Sequence, residues 1–325
     1  MAWILRLEDS RILRDPEPAA PPPPTDPPVS TGRRARVSAA VRALPSPAPS
    51  AADLVRLLAD PEARVRRRAA LAVGRVGLAE GVGPLVPVLS DPDPEVRQMA
   101  AFALGLIGDR AARDPLVAAL GDAAPVVRGS AAEALGLIGD VSAAAPIARM
   151  AAAIVESGAV SEPPPAELEA SRETPAAAFR LAVNALVRLK AYDALASVVL
   201  DGAQPRVRWW PVAFALQRLE DRRAQPALLT LVKDADPYVR SFAARGLGAM
   251  HDRAVVPALT PLAADPIPAV AVEAIRALAR LGDPSAAPAV MALVRAPKTE
   301  PHVRVEAVAA LDSLHADGEI GRAHV

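Results

Sequence analysis

From Ala51 onward, apolar residues return at offsets of three and four, and a longer pattern returns on top of them. The strings VRRRAALAVGRVG, VRQMAAFALGLIG and VRGSAAEALGLIG begin at Val65, Val96 and Val127, 31 residues apart. VRSFAARGLGAMH follows at Val239, AVEAIRALARLG after Val270, and VRVEAVAALDSL at Val303. Two divergent copies lie between, ending NALVRLK (Asn184 to Lys190) and FALQRLED (Phe214 to Asp221), so the pattern predicts eight copies. Each copy reads as two helices. Asp53 to Leu58, Gly83 to Leu89 and Pro226 to Val232 exemplify the first. Turns such as Asp60-Pro61 and Asp236-Pro237 separate the two, because proline after Asp stops one helix and opens the next. The second helix runs to a Gly-Asp exit, as at Gly108-Asp109, Gly139-Asp140 and Gly282-Asp283, where glycine supplies a left-handed turn.

Counting from the start of each second-helix string, the fifth, eighth, ninth and twelfth positions are apolar throughout. The eighth is very small in every copy: Ala72, Ala103, Ala134, Ala185, Ala215, Gly246, Ala277 and Ala310. These offsets share one broad helical face. A single hairpin cannot bury that face, whereas stacked hairpins can, so a period of this kind predicts an all-α solenoid. The Gly-Leu-Ile-Gly strings at Gly105 and Gly136 lack the Lys-Ser/Thr of a phosphate loop and read as helix exits. Asp60, Asp91, Asp122 and Asp234 each precede an arginine by six residues (Arg66, Arg97, Arg128, Arg240). Recurrence suits a packing device: Asp caps the second helix and Arg reaches the Asp of a neighbouring copy. Ala271 replaces the arginine in the seventh copy, so the series is expected to break there.

Composition narrows the chemistry. Hydrophobic residues make up 52% of the 325, but aromatics only 3%, so the core is built from slim side chains suited to close helix packing. With 37 basic and 37 acidic residues, the chain lacks the cationic surplus of a duplex-binding protein, and no nucleic-acid partner is expected. There is no cysteine, which removes disulfides, zinc thiolates and a thiol nucleophile. The histidines, His251, His302, His315 and His324, show no ligand spacing. No apolar run reaches the ~20 residues of a membrane span. No catalytic residue, cofactor or metal is therefore assigned.

Outside the repeats, residues 1–14 read as a short helix or tail, and 15–50 as a Pro-rich, disordered linker favouring extended polyproline II. The array is assigned to 51–318. Leu135 to Leu186 spans 51 residues, which implies an insertion near 158–175. Residues 319–325 break the pattern and match the in-frame translation of a sequencing adapter, which puts the natural chain's continuation past about Gly318. Met1 to Leu13 lacks the shape of a secretory signal, so the expected location is cytoplasmic if Met1 is the true start, and periplasmic or secreted if a leader precedes it.

The period, the Leu-Leu-x-Asp-Pro turn, the Val-Arg pair and the Ala-Leu-Gly-x-Ile-Gly-Asp ending together resemble HEAT-like repeats of the phycobilin-lyase type. The resemblance implies a right-handed α-solenoid of about eight hairpins, an armadillo-type superhelix whose second helices line the concave side, and a non-enzymatic scaffold for protein contacts. Deoxyhypusine hydroxylase, a relative, holds iron with paired His-Glu motifs; here only His251-Asp252 is comparable, without a partner. The strings ILRLEDSRIL, EVRQMAAFALGLIGD, VRWWPVAFALQRLED and SFAARGLGAM also resemble the N-terminal array of bacterial cyclophilin-type peptidyl-prolyl isomerase fusions. That likeness implies an alternative: a substrate-recruiting array cut from a longer isomerase.

Individuality lies at the fourth, seventh and eleventh positions of the second helices, which share another face. Met99 and Phe102 form one apolar patch there, and Phe214 and Phe242 a second, bordered by Arg245 and Arg276. Aromatics beside arginine are what binding hot spots use. Trp209-Trp210 precede Pro211 at a turn one residue longer than in other copies, either anchoring a partner or filling the gap beside the irregular fourth copy. These eight residues are the candidate sites for a protein or peptide.

Overall fold

The computed structural model describes residues 51–165 and 171–314, all within one compact unit, Pro49–Val325. The expectations for 1–14, 15–50 and 319–325 lie outside the described residues. Among the described residues sixteen α-helices pair into eight hairpins: α1 (Ala51–Leu57) with α2 (Ala63–Val76), α3 (Val82–Val88) with α4 (Pro94–Ile107), and α5 (Arg113–Ala119) with α6 (Pro125–Ile138). Next come α7 (Ala144–Glu156) with α8 (Pro175–Arg188), α9 (Tyr192–Val199) with α10 (Trp210–Leu219), and α11 (Gln225–Leu231) with α12 (Pro237–Ala249). The last pairs are α13 (Val256–Leu259) with α14 (Pro268–Leu281), and α15 (Ala287–Arg295) with α16 (Pro301–Ser313). The fold is all-α as expected; within the fifth hairpin β1 (Leu200–Asp201) and β2 (Gln204–Pro205) form a small antiparallel ribbon before α10. The insertion begins earlier than its proline-rich part, because α7 has 13 residues where α3 and α5 have 7.

Each second helix packs on the next. The fifth and ninth positions are buried in all eight copies, from Ala69 and Val73 to Ala307 and Leu311. The tenth position brings the helices closest. A Cβ placed on Gly74, Gly105, Gly136 or Gly248 would lie 2.6–2.8 Å from the Cα of Ala103, Ala134, Ala185 or Ala277, the eighth residue of the next copy. Gly105 and Gly136 therefore sit inside helices, and the strings they open end in the expected Gly-Asp exits. The exits lie three residues on, where Gly108 and Gly139 take φ of 73° and 76°. Lys190, Glu220 and His251 hold the same left-handed position at φ 53–54°, so His251 is accounted for by helix termination.

The recurrent Asp and Arg residues form a cross-copy series. Arg66 donates from Nε and Nη2 to the Asp91 carboxylate at 2.6 and 2.8 Å, and from Nη1 to the carbonyls of Asp60 and Pro61 in its own turn. Arg97–Asp122 and Arg240–Asp265 repeat the arrangement. Each Asp also accepts the amide two residues on, which tightens its turn. It does not cap the helix as expected; that role falls to Asp93 in α4 and Asp236 in α12. The series stops where a copy departs from the pattern. Among the described residues Arg128 keeps only the bonds to its own turn, and Ala271 ends the run after Asp265.

These pairs are mostly enclosed, Arg66 and Asp91 exposing 13% and 7% of their side chains. Hydrogen bonds from Arg66 hold the Asp91 carboxyl below the usual carboxylate range. Burial pushes Asp122 up, but its bonds from Arg97 and the Ala124 amide outweigh this and lower it. A lowered carboxylate stabilises the fold fully above its unfolded value of about 4 and loses that contribution as pH falls through the folded value. Urea midpoints are thus expected to hold from pH 7 to 5 and fall below pH 4, and Asp91→Asn is expected to flatten that fall. Gly105→Ala tests the close seam. Helix propensity alone would favour alanine by about 1 kcal/mol, yet overpacking against Ala134 is expected to destabilise by about 1–3 kcal/mol in urea titrations.

Candidate functional site

The middle of the array replaces the Arg–Asp series with aromatic rings. At the second position, held by arginine in Arg66, Arg97, Arg128, Arg240 and Arg304, the fourth and fifth copies carry Phe179 and Trp209. Phe179 is fully buried and Trp209 is 3% exposed, with ring centroids 6.3 Å apart and the rings stacked. The α8–α10 step also lacks the glycine contact, since Val187 stands at the tenth position of α8. Buried rings fill that wider step. Trp209 is thus a core residue, while the Val207-Arg208 pair is displaced by one residue, leaving Arg208 mostly exposed and 3.8 Å from Asp234.

From Trp209 the rings continue outward. Trp210, first residue of α10, meets Trp209 edge-on at 6.2 Å and Phe242 of α12 at 6.2 Å. Phe242 meets Phe214 edge-on at 5.4 Å. Trp210, Phe214 and Phe242 are each half-buried. Pro211 sits in the first turn of α10, where a missing amide costs nothing. The sequence-predicted aromatics of the fifth and sixth copies are therefore brought together into one surface-reaching cluster. Phe179, its buried root, was missed by the sequence reading; its signal was an aromatic at a position otherwise reserved for arginine.

The arginine candidates are engaged with the scaffold. Arg245 lies 5.9 Å over the Phe242 ring and donates to Glu273 at 2.7 and 2.9 Å. Burial pushes the Glu273 carboxyl up, but the Arg245 bonds and nearby arginine charges outweigh it and hold it low. Arg276 donates to Glu306 at 2.9 and 3.0 Å and to Glu273 at 3.3 Å. These seventh-to-fourth links join α12, α14 and α16.

In the second and third copies Met99 is 2% exposed and belongs to the core, a correction to its expected place on the face. Phe102 is half-buried, and the apolar surface beside it comes from Leu106 and Leu137 at the eleventh positions, 41% and 37% exposed. Leu137 crosses the Gly105 site, 3.4 Å from where a Cβ would stand. Arg188, Arg218 and Arg280, at the same position in later copies, are exposed. Among the described residues, no three His, Asp or Glu side chains are grouped to hold a metal, and no helix is long and apolar enough to cross a membrane.

An array of stacked helical hairpins whose variable side chains lie on one face of the second helices defines the class of repeat solenoids. The HEAT repeat family model matches residues 82–157 and 192–270, and the PBS lyase HEAT-like repeat model matches 270–295. The chain is a HEAT-like repeat protein. It is similar to the YibA protein of Escherichia coli, 22% identical, with a TM-score of 0.51, covering 80% of this chain and 92% of that one. It is also similar to the complex of CpcE and CpcF of phycocyanin lyase from Nostoc: 21% identity, TM-score 0.44, 89% and 100% coverage. Human deoxyhypusine hydroxylase gives 22% identity, TM-score 0.32, 82% and 96% coverage. Likenesses at this level concern the fold alone. A comparison with curated proteins gives no match.

The burial difference between adjacent tryptophans is testable. Trp209→Ala is expected to cost about 3–5 kcal/mol, as for other large buried rings. Trp210→Ala is expected to cost less than half of that by urea unfolding.

Proposed function

We propose that this chain is a non-enzymatic interaction scaffold that binds a protein or peptide along the groove of its second helices. The observation that carries this reading is the half-buried Trp210, Phe214 and Phe242 cluster, rigidly rooted on the buried Phe179–Trp209 stack. Anchored aromatics offer large contact area with little side-chain entropy left to lose on binding. Arg245, itself fixed by Glu273, packs over Phe242, and the half-buried Phe214 and Phe242 are the rings offered to a partner.

The exposed Arg188, Arg218 and Arg280 flank this region, and Leu106 with Leu137 supplies a second apolar contact two copies away. The fitting partner is a segment with aromatic or aliphatic anchors and acidic neighbours. Its carboxylates would meet the exposed arginines while its anchors cover the rings.

The test is selection of peptides from a random display library on the immobilised protein, followed by affinity measurement against Phe214→Ala and Phe242→Ala. Loss of a hot-spot ring removes about 2 kcal/mol, or roughly thirtyfold in Kd. The expected result is a loss of that size with circular dichroism unchanged, and enrichment of acidic residues in the selected peptides. Equal affinity for the variants and the parent protein would overturn the proposal.

A further inference from the structure

Five copies open their first helix in the same way. The Asp that follows the exit of the preceding helix accepts the amide two residues on, at 2.8–3.0 Å: Asp109, Asp140, Asp221, Asp252 and Asp283. The fifth copy has Ala191 at that place. Its first helix, α9, carries no side-chain cap, and among the described residues nothing accepts from the amides of Tyr192, Asp193 and Ala194. Unpaired amides at a helix start carry partial positive charge and attract anions. The second copy also lacks the Asp, with Leu78 in its place, but the cavity there is only about 60 Å³.

Two further observations turn the start of α9 into a site. An open cleft of about 430 Å³ lies against it, where the starts of α7 and α9 meet the turn ahead of α11. That volume suits a small ligand. Tyr192 lines the cleft and is 8% exposed, and its hydroxyl makes no hydrogen bond among the described residues. A side chain in the first turn of a helix leans back over the N-terminus, toward the same amides. Burial pushes the Tyr192 hydroxyl up, so it stays protonated and can donate.

The neighbouring charges leave room for an anion. Arg223 lies 4.3 Å over the Tyr192 ring and donates to Asp221 at 2.8 and 3.0 Å and to Asp193 at 2.6 Å, which occupies both carboxylates. Lys190, exposed in the cleft wall, meets no carboxylate among the described residues. The fourth copy adds an apolar wall of Ala144, Ala145 and Val141, the last 67% exposed.

We infer that this cleft binds a carboxylate carried on an apolar body, held where the other copies place their own Asp. The amides at the start of α9 and the Tyr192 hydroxyl donate to it, Lys190 balances its charge, and the body lies on Val141 and the alanines. A free organic acid and the C-terminus of a chain share this chemistry.

Amide NMR of the full chain tests the site, with 4-phenylbutyrate and an acetylated Ala-Ala-Phe peptide as the two acids, and 4-phenylbutyramide and the amidated peptide as their neutral matches. Saturable shifts centred on residues 192–194 are expected with the acids and not with the amides, and the tighter-binding acid identifies the source. Ala191→Asp supplies the missing carboxylate in place, so it is expected to abolish the shifts while raising the urea midpoint. Tyr192→Phe is expected to weaken binding by about tenfold, and it carries the test if Ala191→Asp disturbs the turn. No shift with either acid at millimolar concentration, equal shifts with the amides, or unchanged affinity in both variants would refute the site.

Discussion

Successive second helices touch backbone to backbone where a glycine of one copy faces an alanine of the next, and this closeness governs the rest of the molecule. Helices usually pack about 8–10 Å apart, with the distance set by the side chains between them. Gly74 on Ala103, Gly105 on Ala134, Gly136 on Ala185 and Gly248 on Ala277 leave no room for even one added methyl group. They accompany full burial of the small residues at the fifth position and the larger aliphatic residues at the ninth. The same spacing sets Arg66, Arg97 and Arg240 within bidentate reach of the next copy's Asp.

Where the glycine contact lapses, different chemistry takes its place. Between α8 and α10 the helices are joined by the Phe179–Trp209 stack in place of the Arg–Asp pair. A lengthened α7, the segment after it and the β1–β2 ribbon belong to these same two copies. Bulky rings cannot be enclosed by a step of regular width, so the cluster spills outward through Trp210 to Phe242 and Phe214. The structural irregularity and the candidate recognition surface thus share one origin. Elsewhere several variable positions are covered or ion-paired, as Met99, Glu273 and Arg276 show, while Leu106 and Leu137 stay exposed.

Much of this was legible in the residues alone because it repeats. Eight aligned strings expose the buried fifth and ninth positions, and the six-residue Asp-to-Arg interval signals an interaction between copies. Other features were hidden for physical reasons. The packing role of the tenth-position glycines is masked by the exit glycines three residues on, such as Gly108, because both lie in one Gly-Leu-Ile-Gly string and only the exit takes positive φ. The Arg245–Glu273 and Arg276–Glu306 links span 28 and 30 residues and occur only late in the array, so no recurrence advertises them. Phe179 carries a single mark, an aromatic where most copies have arginine, which gains meaning only with its stacking partner, and Met99 differs from an exposed residue only through the depth at which α4 is held between α2 and α6.

If stability is passed between neighbouring copies through the glycine seam and is weakest at the aromatic step, where Val187 replaces the glycine, the array should open in blocks. Native-state hydrogen exchange followed along the chain measures this directly. Protection is expected to be high through α4 and α6 and again through α12 and α14, with a minimum between Val199 and Trp210 separating two cooperative units. A single protection level from α2 to α16, or its lowest point inside the glycine-packed copies, would contradict the account.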